Sequence, residues 1–117
     1  MMETENRRSN RIAVELKVLF TPTDAETPYH QRGQSLDLSR EGMRLKTNFY
    51  DTLNQEIKGR IFPPEEDPIA FSAKVLWNKP APPNMRDSGL KFTEMSQYDK
   101  TRLDALLKSI WTQMLTA

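Results

Sequence analysis

Three arginines fall within five residues near the start of the chain, Arg7-Arg8-Ser9-Asn10-Arg11, and Arg7 and Arg11 have the spacing Arg-x-x-x-Arg. Guanidinium groups are rigid, bidentate donors. They suit phosphate oxygens and the O6/N7 edge of guanine, and they stack on flat bases. A second constellation, Asp37-Leu38-Ser39-Arg40-Glu41-Gly42, reads Asp-x-Ser-x-x-Gly. The strand period of two puts Asp37 and Ser39 on one face, opposite Leu36 and Leu38. A carboxylate there accepts from the N1–H and N2–H₂ edge of a guanine, and a hydroxyl beside it donates or accepts. Gly42 allows a positive φ at the end of a tight turn. Singly, these residues are also what a solvated basic arm and an ordinary hairpin turn carry. The two together are far more specific than either.

The elements that must hold them follow from periodicity. Residues 1–11 are polar and charged, without a repeat, and read as an arm. Ile12, Val14, Leu16, Val18 and Phe20 then alternate with Ala13, Glu15, Lys17 and Leu19, which predicts one strand with a buried face. Further strands are predicted at Gln31–Ser39, Met43–Thr47, Glu56–Phe62, Ile69–Asn78 and Asp87–Thr93. They are separated by Pro-, Gly- and Asp-containing breakers such as Pro63-Pro64-Glu65-Glu66-Asp67-Pro68 and the stretch from Pro80 to Asn84. From Ser96 the period changes. Ser96 with Asp99 forms an N-cap with an acid in the first turn, and Leu103, Leu106, Leu107, Ile110, Trp111 and Met114 fall at helical spacing. The prediction is all-β with a C-terminal helix: a six-stranded antiparallel β-barrel over 12–95 and one amphipathic α-helix over 96–117 of the same domain. Trp77 shares its expected face with Phe71, Ala73 and Val75, which favours the core. Its place near a strand end equally allows it to stack on a base. Trp111 and Met114, near the helix end, are candidates for an exposed contact.

Composition removes several classes. Lys and Arg total 17 against 16 for Asp and Glu, a net charge of +1, which argues against a nucleic-acid polymer as partner. There is no cysteine and one histidine, His30, so thiolate and His-pair metal sites, cysteine nucleophiles and most histidine chemistry are excluded. With no nucleophile–base pair in view, the chain is not expected to be an enzyme or to carry a cofactor. No stretch approaches a membrane span and the first residues do not form a signal peptide, so a cytoplasmic location without membrane insertion is expected.

The arginine motif, then a strand-loop-strand, then Asp-x-Ser-x-x-Gly resembles the PilZ domain family. Ser88-Gly89-Leu90-Lys91-Phe92, with its Gly-x-x-Phe pattern, and the final helix fit the same order, from Arg7 to about Leu115. The resemblance implies a PilZ-type barrel that receives cyclic di-GMP on its outer surface. It implies that Arg7 and Arg11 grip guanines and phosphates, that Asp37 and Ser39 hydrogen-bond a guanine, and that Gly42 permits the local backbone. Arg8 adds a contact by its position inside the motif. The expected partners are cyclic di-GMP and a protein effector, with the domain a monomer or weak dimer. The competing expectation is a ligand-independent, PilZ-like adaptor in pilus or flagellar machinery.

Overall fold

The alternation that begins at Ile12 does produce a buried face, with Ile12, Leu16, Val18 and Phe20 all inside. It does not produce one strand. The computed structural model describes residues 11–23, 30–49 and 53–116, and in it the run is split into β1 (Ile12–Ala13) and β2 (Lys17–Pro22). Both pieces pair antiparallel with the same edge of β3 (Gln31–Leu38): Ile12 lies opposite Leu38, and Lys17 opposite Gln34. The break at 14–16 is filled by a side chain. The Ser35 hydroxyl donates to the Val14 carbonyl at 2.6 Å and accepts from the Leu16 amide at 2.9 Å. Ser35 is fully buried, so it satisfies two backbone groups that a continuous ladder would otherwise have paired.

The remaining strands are β4 (Gly42–Thr47), β5 (Glu56–Phe62), β6 (Ile69–Ala81) and β7 (Met85–Glu94). The sheet runs β3-β2-β5-β6-β7-β4, and β4 pairs back onto β3. That closes a six-stranded antiparallel barrel, with β1 as the extra short strand. Closure removes the free edges that a sheet of this size would otherwise expose. Leu38, Met43, Leu45, Ile57, Ile61, Ile69, Ala73 and Val75 fill the interior together with Val18 and Phe20.

β6 and β7 run further than the prolines predict, leaving only residues 82–84 between them. Beyond Lys74, β6 pairs with β7 but no longer with β5, so its end is half of a two-stranded ribbon. A proline is tolerated there because one side of the strand has no ladder bond to lose.

Helix α1 (Gln97–Thr116) starts where its cap predicts. The Asp99 amide donates to the Ser96 hydroxyl at 3.1 Å, and that hydroxyl donates to the Asp99 carboxylate at 2.8 Å. Arg102 fastens the first turns to the β5–β6 turn by donating to the carbonyls of Pro68 and Asp67. Leu103 and Leu107 enter the core, with Leu106 and Ile110 packed against it. Trp111, Met114 and Leu115 are exposed.

Gly42 takes no positive φ, so the backbone freedom that a turn glycine allows is not used there. Among the described residues the left-handed positions are Asn54 (φ 65°) and Glu65 (φ 58°). Gly42 is required for space instead. It lies opposite Lys91 of β7, and a Cβ on it would stand 1.9 Å from the Leu90 carbonyl oxygen. That obstacle is backbone and cannot rotate away.

Two substitutions test this account by urea unfolding. Ser35→Ala leaves the Val14 carbonyl and the Leu16 amide unpaired, and is expected to lower stability by about 1–3 kcal/mol. Gly42→Ala forces β4 and β7 apart, and is expected to cost about 3 kcal/mol, the upper end for overpacking. An unchanged midpoint for either would show that the contact described does not hold the barrel.

Candidate functional site

The strand register sets one row of residues across four strands. Asp37 on β3 lies opposite Arg44 on β4, Arg44 opposite Gly89 on β7, and Gly89 opposite Trp77 on β6. The row is on the outside of the barrel because of two irregularities. The β3–β4 register shifts between Ser35 and Asp37, and the β6–β7 register shifts between Val75 and Trp77. Leu36 and Leu76 are therefore extra residues. Ser35 and Val75 point inward, so strict alternation would send Asp37 and Trp77 inward as well. Each bulge reverses the phase and turns them out.

This corrects one sequence expectation and decides between the two readings open for Trp77. Leu36 does not share the buried face of Leu38; it is a half-buried bulge residue. Trp77 is not in the core with Phe71, Ala73 and Val75. It is 39% exposed, with its indole lying on Gly89, where a Cβ would come within 2.1 Å of Nε1. The Lys79 ammonium stands 5.8 Å from the indole centre. A flat ring seated on a glycine and partly exposed, with a mobile lysine over it, can stack on a base.

Arg11 joins the row from just before β1. Ala13 lies opposite Asp37, which brings the start of β1 alongside the carboxylate. Arg11 Nη1 donates to Asp37 Oδ1 at 2.9 Å. On the other side, Arg44 Nη1 stands 3.7 Å from Asp37 Oδ2, and Arg44 Nη2 stands 3.7 Å from Asp87 Oδ2. Cations and anions thus alternate along the outer face as Arg11, Asp37, Arg44 and Asp87. Both carboxylate side chains are largely covered, at 15% and 13% exposure.

Ser39 is placed differently from the expectation. It lies just past the end of β3, is 2% exposed, and points into the turn rather than standing beside Asp37 on a strand face. Its hydroxyl accepts from the amides of Glu41 and Gly42, each at 3.2 Å, and donates to the Gly42 carbonyl at 3.3 Å. A main-chain bond from the Ser39 amide to the Gly42 carbonyl, 2.9 Å, closes the same turn. Ser39 and Gly42 therefore shape the loop that follows Asp37: one by hydrogen bonding, the other by admitting β7. Two contacts fasten this loop to its surroundings. The Phe92 amide donates to the Glu41 carbonyl at 2.8 Å, and Arg40 Nε pairs with Asp104 of α1 at 2.7 Å. Between the loop and the start of α1 lies a groove of about 530 Å³, floored by Phe92, Met95 and Leu103.

Of the predicted site residues, the structure brings together Arg11, Asp37 and Trp77. It places Ser39 and Gly42 in the adjoining turn, while Arg7 and Arg8 lie outside the described residues. Sequence reasoning missed Arg44 and Asp87. For Arg44 a signal was present: a turn over 39–42 pairs Leu38 with Met43, and hence Asp37 with Arg44. For Asp87 there was none, because its neighbour Arg44 comes from another hairpin. Among the described residues, no helix is long and apolar enough to cross a membrane.

Solved structures share this fold at low sequence identity. The chain superimposes on the Bacillus subtilis inhibitor of motility MotI (DgrA) with a TM-score of 0.73 and 22% identity, covering 94% of this chain and 52% of that one. It superimposes on Escherichia coli YcgR, solved in complex with cyclic di-GMP, with a TM-score of 0.77 and 15% identity, covering 94% and 48%. It also matches the PilZ domain of CeSA from a cellulose-synthesizing bacterium, with a TM-score of 0.64 and 17% identity, covering 87% and 98%. The chain thus spans about half the length of MotI and YcgR and nearly all of the isolated CeSA domain. A search of curated proteins found no match to the chain. The family model of the PilZ domain matches residues 5–109, a segment that takes in both arginine-rich and Asp-x-Ser-x-x-Gly motifs. The chain belongs to the PilZ domain family.

Proposed function

We propose that this chain is a cyclic di-GMP receptor, a binding module without catalysis, that acts in the cytoplasm and signals to a protein partner. The observation that carries the reading is the outer row across four adjoining strands that begins at Asp37, paired with Arg11, and ends at the exposed Trp77. The complex of cyclic di-GMP with YcgR, a protein of the same fold, supports the ligand class.

The chemistry matches the ligand part by part. Cyclic di-GMP has two anionic phosphates and two guanines. Asp37 accepts from the N1–H and N2–H₂ edge of one guanine, and Trp77 offers a stacking surface. Arg7, Arg8 and Arg11 supply guanidinium donors for phosphate oxygens and for stacking. Ser39 and Gly42 keep the Asp37 loop in shape. Arg11 already holds Asp37, so ligand entry exchanges that ion pair for contacts to guanine and phosphate. Ordering the residues that precede Arg11 costs about 1–2 kcal/mol each. Charge-assisted hydrogen bonds of about 1.5–3 kcal/mol offset it. Binding and arm ordering are therefore coupled, and the new position of the arm changes the surface shown to a partner. The Arg40–Asp104 pair offers a second route, from the Asp37 loop to α1.

Isothermal titration of the purified chain tests the reading. Saturable binding of cyclic di-GMP at micromolar affinity or tighter is expected, with no comparable response to GMP or cyclic di-AMP. Arg11→Ala and Asp37→Ala are each expected to weaken it tenfold or more. A folded protein that takes up no cyclic di-GMP would overturn the receptor reading in favour of a ligand-independent adaptor. Hydrogen exchange tests the switch separately: the amides of residues 1–10 are expected to gain protection with ligand, and equal exchange in both states would reject arm ordering.

A further inference from the structure

Arg44 is the central side chain of the row, and no motif contains it. Its two terminal nitrogens each face a carboxylate oxygen at 3.7 Å, Asp37 on one side and Asp87 on the other. Those distances are within the reach of charge but beyond that of a hydrogen bond. Its Nε is buried and has no hydrogen-bond partner, and neither has the buried Asp87 Oδ1. A guanidinium is thus held in place from both sides by charge, with its donors unspent, on an outer face where its side chain is 42% exposed. The guanidinium donors left unmatched in this way call for an acceptor that the protein does not provide.

Resting on the proposed guanine site, the geometry points to a specific use. When a carboxylate takes the N1–H and N2–H₂ donors of a guanine, the O6 acceptor lies next to it along the same edge. Asp37 and Arg44 are neighbours across one strand pair, an acceptor beside a donor. That is the complement of the guanine edge. Adenine presents the reverse, an amino group at position 6 and an unprotonated N1, so it meets a donor with a donor and an acceptor with an acceptor. We infer that Arg44 donates to O6 of the guanine held by Asp37, and that the Asp37–Arg44 pair is what selects guanine over adenine in this chain. Asp87 is then a positioning residue, which keeps the guanidinium against the outer face.

The test compares Arg44→Met, which removes charge and donor, with Arg44→Gln, which removes the charge but keeps an amide donor. Affinities for cyclic di-GMP and cyclic di-AMP are measured by titration and by competition, after urea unfolding has checked that each variant folds. Arg44→Met is expected to weaken cyclic di-GMP about tenfold or more while leaving cyclic di-AMP unchanged, so that selectivity collapses. Arg44→Gln is expected to bind cyclic di-GMP several-fold more tightly than Arg44→Met. If both dinucleotides weaken by the same factor, or the two variants bind cyclic di-GMP equally, Arg44 contributes only charge and the inference is wrong. Should Arg44→Met not fold, Arg44→Gln decides alone: retained selectivity with at most a modest loss supports the inference, and a uniform loss for both ligands refutes it. Failure of the site reading itself is distinguishable, because the unmutated chain would then bind no cyclic di-GMP.

Discussion

The phase of the outer barrel face depends on two extra residues. Strand side chains alternate with a period of two, so one inserted residue exchanges inside and outside for everything beyond it. Leu36 and Leu76 are such insertions, one at each end of the row that crosses β3, β4, β7 and β6. If the same residues alternated strictly, without bulges, Asp37 would be a buried carboxylate and Trp77 a core residue. With the bulges the interior keeps Ser35, Leu38 and Val75, and the exterior gains a carboxylate and an indole at the two ends of a row of four strands. Bulges interrupt the ladder, and here the interruption near Ser35 is offset locally. The same buried hydroxyl that bridges Val14 and Leu16 sits beside the shift that turns Asp37 outward.

Barrel closure then brings the parts within reach of one another. Asp37 and Arg44 belong to one hairpin, but Gly89 and Trp77 arrive from another, and the two meet only because β4 pairs with β7. That pairing is tight enough to exclude a side chain at Gly42, and Gly89 in turn leaves room for an indole to lie flat. The two glycines serve proximity rather than backbone freedom. Ser39, buried in the turn between Asp37 and Gly42, holds that turn in shape.

The charges on this face are balanced in pairs, Arg11 and Arg44 against Asp37 and Asp87. A balanced array does not by itself attract a dianion. On the proposed reading, the additional cations come from Arg7 and Arg8, so the electrostatics of binding and the ordering of the arm are one event. The overall charge is near neutral, 17 Lys and Arg against 16 Asp and Glu, so no net field of the whole chain draws the ligand in, and three of the arginines, Arg7, Arg8 and Arg11, stand together in one short segment.

Local patterns were sufficient for the elements. The alternation in β2 to β7, the breakers between them and the Ser96–Asp99 cap could be read residue by residue, because period and capping depend only on near neighbours in the chain. The two motifs pointed to the family, and with it to the barrel, for the same reason. What the pattern could not carry was anything set by pairing between distant segments. The split of the first strand depends on Ser35 arriving from β3. The outward turn of Trp77 depends on a bulge against β7, and periodicity alone assigned it to the core side. Gly42 was read for its backbone freedom because a turn is local, whereas its actual constraint is a carbonyl oxygen of a strand nearly fifty residues away. Arg44 and Asp87 looked like ordinary solvent-facing positions in two separate strands. Only the closed barrel makes them neighbours, because strand register is a property of the whole sheet and not of any one strand.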